Sequence, residues 1–230
     1  MKYLVISDIH GNYPALKAIL DKEKSNIDGI IFVGDIVGLM GFPSETAEAI
    51  MNESTHAVKG NHDVAVLEWK EGHVNSPELS KFELDLNWDN LSDEQVEWIS
   101  NLSPLKQVPE EGLLIAHAEP SIEMASGTQK GNFGVRKKDY ISVASNVDDV
   151  YNFVLLGHTH HQAKVDCNKF GHDVTVLNPG SAGQPIGKPA EYAIIDTEEK
   201  TSSLQSVEYE YEEVENKLDT ENVPIKWWLK

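Results

Sequence analysis

The amino-acid sequence predicts an α/β fold, and three observations carry that expectation. Short apolar runs without polar alternation recur at residues 3–6, 30–33, 113–116 and 153–156, as in strands buried on both faces. Helix-start signals and helical apolar spacing fall between the early runs. The 230 residues, 40% of them hydrophobic, suffice for a sizeable core. One domain over 1–230, with a helical insertion at about 64–107, is the simplest organisation, because no repeat, low-complexity tract or long linker divides the chain.

Tyr3, Leu4, Val5 and Ile6 form the first strand. Asn12 as cap and Pro14 in the first turn open a helix whose apolar face is Leu16, Ile19 and Leu20. The second strand, 30–33, ends at Gly34-Asp35. Residues 43–52 read as a helix, and 55–59 as a short strand ending at Gly60-Asn61-His62-Asp63. The pattern from 64 to about 107 is helical, and Ser92 with Gln95 has capping-box spacing. Strands return at 113–116 and 153–156, separated by a glycine-bearing loop at 119–135 and a helix from 137 to about 147. Strands at about 163–167, 173–177, 191–195 and 204–211 fill the last third. In the last of them Val207, Tyr209 and Tyr211 alternate with Glu208 and Glu210, as on a half-exposed strand. A terminal helix would carry Trp227, Trp228 and Leu229 inward.

Composition excludes several classes. No apolar run is long enough to span a membrane, and Lys2 and Asp8 leave no room for a secretory apolar stretch. The single cysteine, Cys167, excludes an intrachain disulfide framework. A cytoplasmic protein with no membrane partner is expected. The formal net charge of −19 argues against gripping duplex nucleic acid, which needs a basic surface. Arg136 is the only arginine, so a guanidinium clamp on phosphate has one source at most. The acidic stretch 198–221 reads as a solvated edge.

The chemistry-bearing residues are unevenly placed. His10, His62, His117, His158 and His160 come just after apolar runs, and so do Asp8, Asp35 and Asn61. Side chains at strand C-termini converge on one edge of an α/β sheet, where ligands bind. Residues two apart on a chain leaving a strand can point the same way, as in Asp8-x-His10 and His158-x-His160. Imidazole, carboxylate and amide donors suit first-row divalent metals. Two Asp, one Asn and four His exceed the needs of one tetrahedral ion and suit two ions sharing a carboxylate. Two such ions, less Asp8, Asp35 and one hydroxide, leave a formal charge of roughly +1, enough to hold one phosphate in an acidic protein.

The series Asp8-x-His10, Gly34-Asp35, Gly60-Asn61-His62-Asp63, His117 and Gly157-His158-x-His160 resembles the calcineurin-like metallophosphoesterase superfamily, in the family's order. The segment Asn178-Pro179-Gly180-Ser181-Ala182-Gly183-Gln184-Pro185 is similar to its small YfcE-like predicted phosphodiesterases. The resemblance implies a four-layer α/β/β/α sandwich. It implies Asp8, His10 and His160 on a first metal, Asn61, His117 and His158 on a second, and Asp35 bridging. His62 would be catalytic, donating to the phosphate or the leaving oxygen. The implied reaction is hydrolysis of a small phosphate ester, foremost a phosphodiester, by a hydroxide bridging two divalent ions (Mn, Fe, Zn, Ni or Co). A phosphomonoesterase or nucleotide hydrolase using the same site, and a non-catalytic scaffold, are the alternatives. Two departures stand out. Leu39 replaces an arginine that follows Gly-Asp in the protein phosphatases and dinucleoside-tetraphosphate hydrolases, and Ala118-Glu119 follow His117 where relatives carry Gly and a small residue.

Overall fold

The computed structural model describes residues 1–70, 79–118, 140–184 and 186–222. At its centre lie two five-stranded mixed sheets. The first is built from β1 (Lys2–Ile6), β2 (Gly29–Val33), β3 (His56–Val58), β9 (Ala190–Asp196) and β10 (Thr201–Val207), in the order β10-β9-β1-β2-β3. Its β1, β2 and β3 run parallel, and β9 and β10 add antiparallel. The second has the order β4-β5-β6-β8-β7, from β4 (Leu105–Val108), β5 (Leu113–Ala116), β6 (Phe153–Leu155), β7 (Ala163–Lys169) and β8 (His172–Asn178). There β5, β6 and β8 are parallel, with antiparallel edges.

The unbroken apolar runs have a direct physical reason. Tyr3, Val5, Ile31 and Val33 point between the sheets and meet Leu113, Ile115, Phe153 and Leu155. Their neighbours Leu4, Ile6, Ile30 and Phe32 point outward into a layer of helices. Leu114, Ala116, Val154 and Leu156 face a helix on the far side of the second sheet. Both faces of each central strand are therefore dry, and the result is four layers, α/β/β/α. Each buried Leu, Ile or Phe contributes roughly 1.5–3 kcal/mol.

The helices over the first sheet are α1 (Tyr13–Glu23), α2 (Pro43–Glu53), α3 (Asn61–Lys70), α4 (Lys81–Asn90), α5 (Asp93–Asn101) and α7 (Tyr211–Thr220); α6 (Tyr140–Asn146) packs on the second. Asn12 caps α1, its Oδ1 accepting from Ala15 N at 3.2 Å. The expected capping box at Ser92 and Gln95 is present, and a second, at Ser80 and Glu83, opens α4. Ser92→Ala should destabilise the protein by about 1 kcal/mol. Urea denaturation would show this as a lower midpoint at unchanged slope.

Two element assignments differ from the sequence reading. Residues 105–107, read as helical, belong to β4, where Leu105 pairs with Ala116 and Val108 with Leu113. Pairing with a buried neighbour outweighs the local preference of four residues. The strand read over 204–211 is instead β10, which ends at Val207, and Tyr211 opens α7. Val214 and Leu218, one helical turn apart, are the residues α7 buries. The helix expected from 137 to about 147 is present over Tyr140–Asn146, and residues 137–139 lie outside the described residues. Loop 119–135, the basic residues Lys130, Arg136, Lys137 and Lys138, and Trp227, Trp228 and Leu229 lie outside the described residues. The acidic residues of the stretch 198–221 are exposed apart from Glu215, which is half-buried, as on a solvated edge. Among the described residues no helix is long and apolar enough to cross a membrane.

Candidate metal centre

The parallel strands deliver their C-terminal ends to one rim. Asp8 and His10 follow β1, Asp35 follows β2, Asn61 and His62 open α3, His117 follows β5, and His158 and His160 follow β6. All eight side chains singled out from the sequence thus come from loops or the first turn of α3 at that rim. Backbone bonds lock the loops pairwise. Asp8 N donates to Gly34 O at 3.0 Å, His10 N to Asp35 O at 2.9 Å, and Gly157 N to His117 O at 2.9 Å. Across the sheets, His158 N donates to Asp8 Oδ2 at 3.0 Å.

Five of the eight carry backbone strain. Asp8, His10, Asp35, His158 and His160 have φ of 54°, 54°, 54°, 65° and 53°. The left-handed region costs a residue with a Cβ about 1–2 kcal/mol. Such strain persists where surrounding bonds over-determine it, and it concentrates at functional sites. The neighbouring glycines relieve steric conflict. A Cβ on Gly34, itself at φ +88°, would stand 2.6 Å from His117 Nδ1, and one on Gly60 would stand 2.1 Å from Asp35 Oδ1.

The donor atoms face one another. His10 Nε2 lies 3.0 Å from His160 Nε2, and His160 Nε2 lies 3.1 Å from Asp8 Oδ1. His117 Nε2 is 3.2 Å from both Asp35 Oδ2 and Asn61 Oδ1, and His158 Nδ1 is 2.9 Å from Asn61 Oδ1. His117 Nδ1 is 2.7 Å from Val33 O, a carbonyl that can only accept. That bond keeps one proton on Nδ1 and turns Nε2 toward the two oxygens, where it can carry a second proton or face a cation. Asp35 Oδ2 is buried at that contact. Two groups could each hold an ion: Asp8, His10, Asp35 and His160, and Asp35, His117 and His158, the atoms of each lying within 4.8 Å of one another. Donors about 3.0–3.4 Å apart span one edge of a shell with bonds of about 2.0–2.2 Å. The residues present therefore fit a divalent ion, and Asp35 belongs to both groups.

The electrostatics agree. Burial works against ionised Asp35, yet His117, His62 and His10 hold its carboxyl well below the usual range. Burial likewise opposes Asp8, and His160 and His117 lower it. Burial and then His62 push His10 down, so it stays neutral and keeps a lone pair. Burial would depress His117, but the Asp35 and Asp8 carboxylates outweigh it and raise its imidazole to about 10. A proton there fills the place that a bound cation would take.

His62 is buried beside these groups. Its backbone N donates to Asp35 Oδ1 at 2.8 Å, and its ring meets His10 edge-on, centroids 4.6 Å apart. Asp63 has a clearer role than its sequence position suggested. Its carboxylate accepts from Ile36 N (2.9 Å), Val37 N (3.1 Å) and Gly60 N (2.8 Å), tying the Asp35 loop to the start of α3. Burial and the Asp35 charge push its carboxyl up to about 7 against the pull of those amides. The segment 178–184 buttresses the rim: Ser181 Oγ donates to Asp8 O at 2.8 Å, and Asn12 Nδ2 to Gly183 O at 2.8 Å. Leu39 is buried in the helix-side core. His56 pairs with Glu111 at 3.2 Å and His172 with Tyr151 O at 2.8 Å, away from the rim, while His161 is exposed and His73 lies outside the described residues.

Comparison with known proteins gives a consistent picture. Residues 1–200 match the family model described as the calcineurin-like phosphoesterase superfamily domain. An uncharacterized protein of Methanocaldococcus jannaschii, MJ0912, is 28% identical over 250 residues, covering 98% of this chain and 94% of that protein. A metallophosphoesterase of Sphaerobacter thermophilus is similar in structure, with a TM-score of 0.78 at 22% identity, covering 97% of this chain and 95% of its own. The hypothetical protein PH1004 of Pyrococcus horikoshii has a TM-score of 0.78 at 23% identity, covering 97% and 94%.

Proposed function

Because the chain belongs to the calcineurin-like phosphoesterase superfamily, we propose that it hydrolyses a small phosphate ester, foremost a phosphodiester, with two divalent ions at this centre. Asp8, His10 and His160 would hold one ion, Asn61, His117 and His158 the other, and Asp35 both. The observation that carries the reading is Asp35, the one carboxylate common to two donor groups. Bound there, the ions supply a nucleophile at neutral pH and offset the charge of the phosphoryl group. Manganese, iron, zinc, nickel and cobalt all accept this nitrogen and oxygen set.

The chain's own residues do the rest. His62, held over Asp35 by its backbone N–H and against His10 by its ring, is the proton donor to the phosphate or the leaving oxygen. Diesters are favoured on charge. A monoester dianion profits most from a bidentate guanidinium, and Leu39, where relatives place one, is buried among apolar side chains. A small substrate fits a chain of net charge −19. A cytoplasmic setting fits its single cysteine.

Chelated protein should be inactive, and Mn²⁺ should restore turnover of bis(p-nitrophenyl) phosphate above that of p-nitrophenyl phosphate. Faster turnover of the monoester would favour a phosphomonoesterase. No turnover of either with any of the five metals would contradict the proposal.

A further inference from the structure

We infer that Asn178 is a positioning residue that sets the grip on both ions at once, through loop 157–160; the inference rests on the two-ion reading above. Asn178 ends β8, the strand beside β6, and is fully buried. Its Nδ2 donates to Gly157 O at 2.6 Å and to Thr159 Oγ1 at 3.1 Å. Its Oδ1 accepts from Gly180 N at 2.9 Å. The buried Tyr140 hydroxyl, at the start of α6, lies beside the side chains of Thr159 and Asn178.

What this amide holds is a strained loop. Thr159 sits between His158 and His160, whose φ values are 65° and 53°. The loop is tight, with Thr159 N donating to Gly157 O at 2.7 Å. His160 belongs to one donor group and His158 to the other. A loosened loop therefore misplaces one donor in each group. A ligand that serves one ion alone does not have this reach. The two ends of the carboxamide divide the labour: the donor end holds the loop, and the acceptor end holds the turn at 178–180.

That division makes the inference testable. Asn178→Asp keeps the acceptor for Gly180 N and loses both donors. Thr159→Val removes the hydroxyl at constant shape, and Thr159→Ser restores it. Partners that orient metal ligands are worth about 10–100-fold in affinity or activity. Calorimetric titration with Mn²⁺ should show Asn178→Asp and Thr159→Val weakened about 10–100-fold at both ions, with kcat falling more than KM rises. Thr159→Ser should bind like the unsubstituted protein. Unchanged Mn²⁺ affinity in Asn178→Asp would overturn the inference, since a residue that served only its turn keeps its function as Asp. If Asn178→Asp fails to fold, Thr159→Val decides on the same criterion. Unsubstituted protein that binds two Mn²⁺ but cleaves no ester would sink only the hydrolytic reading, because the affinities still decide this one. Unsubstituted protein that binds no Mn²⁺ would overturn both.

Discussion

Asp35→Asn is expected to lower metal-dependent ester turnover by on the order of 10³-fold or more, beyond the roughly 10–100-fold cost of losing a residue that only orients ligands. The substitution keeps the size of the side chain and an oxygen for His62 N, now 2.8 Å from Oδ1. It removes the charge common to both donor groups and the better ligand atom with it. Loss should therefore appear in ion stoichiometry as well as rate, while far-ultraviolet circular dichroism stays unchanged. Asp63→Asn is the informative control. Asp63 touches backbone amides and no donor atom of the two groups, so its loss should act more weakly on the metal and more strongly on stability. Turnover within a few-fold of the unsubstituted protein in Asp35→Asn would contradict the proposed role.

The second large effect concerns protons. His117 rises from 6.5 to about 10 in the folded, metal-free protein, because Asp35 and Asp8 outweigh its burial. A raised folded-state pKa stabilises fully below the unfolded value and is lost as pH climbs through the folded one. The thermal midpoint of chelated protein should thus fall between pH 6.5 and about 10. With Mn²⁺ present the fall should be smaller, since a cation and not a proton then faces Asp35. Binding at pH 7.5 should also release about one proton per chain from this imidazole. Titration calorimetry in buffers of different ionisation heat measures that number. Zero release would show His117 to be already neutral and the donor to be elsewhere.

Much of this centre was legible in the sequence because of where its residues stand. Asp8, Asp35, Asn61, His117 and His158 each come within a few residues of an apolar run, and the short runs before Asp8, Asp35, His117 and His158 have the length and residue types of strands buried on both faces. Central parallel strands share a direction, so the residues just past their C-terminal ends share a rim. The supporting residues were less legible. Asn178 and Asp63 act through backbone groups 21 and 27 positions away, at Gly157 and Ile36, and no local pattern encodes such partners. A usable signal did exist for α7: Val214 and Leu218 have helical spacing, but the alternation across Val207, Tyr209 and Tyr211 straddles the end of β10 and imitates a longer strand. Ser80 and Glu83 likewise have the spacing of the capping box they form. The strain at five of the eight site residues leaves only a weak trace in residue type, since Asp and His are enriched at positive φ but mostly adopt other conformations.

Everything turns on whether two cations share the Asp35 carboxylate. Electron paramagnetic resonance of the protein titrated with Mn²⁺ reads this directly, because ions bridged by one ligand couple their spins. The expected result is an exchange-coupled signal that saturates at two Mn²⁺ per chain and disappears in Asp35→Asn. An isolated six-line Mn²⁺ spectrum at saturation, or binding that stops at one ion, would contradict the account.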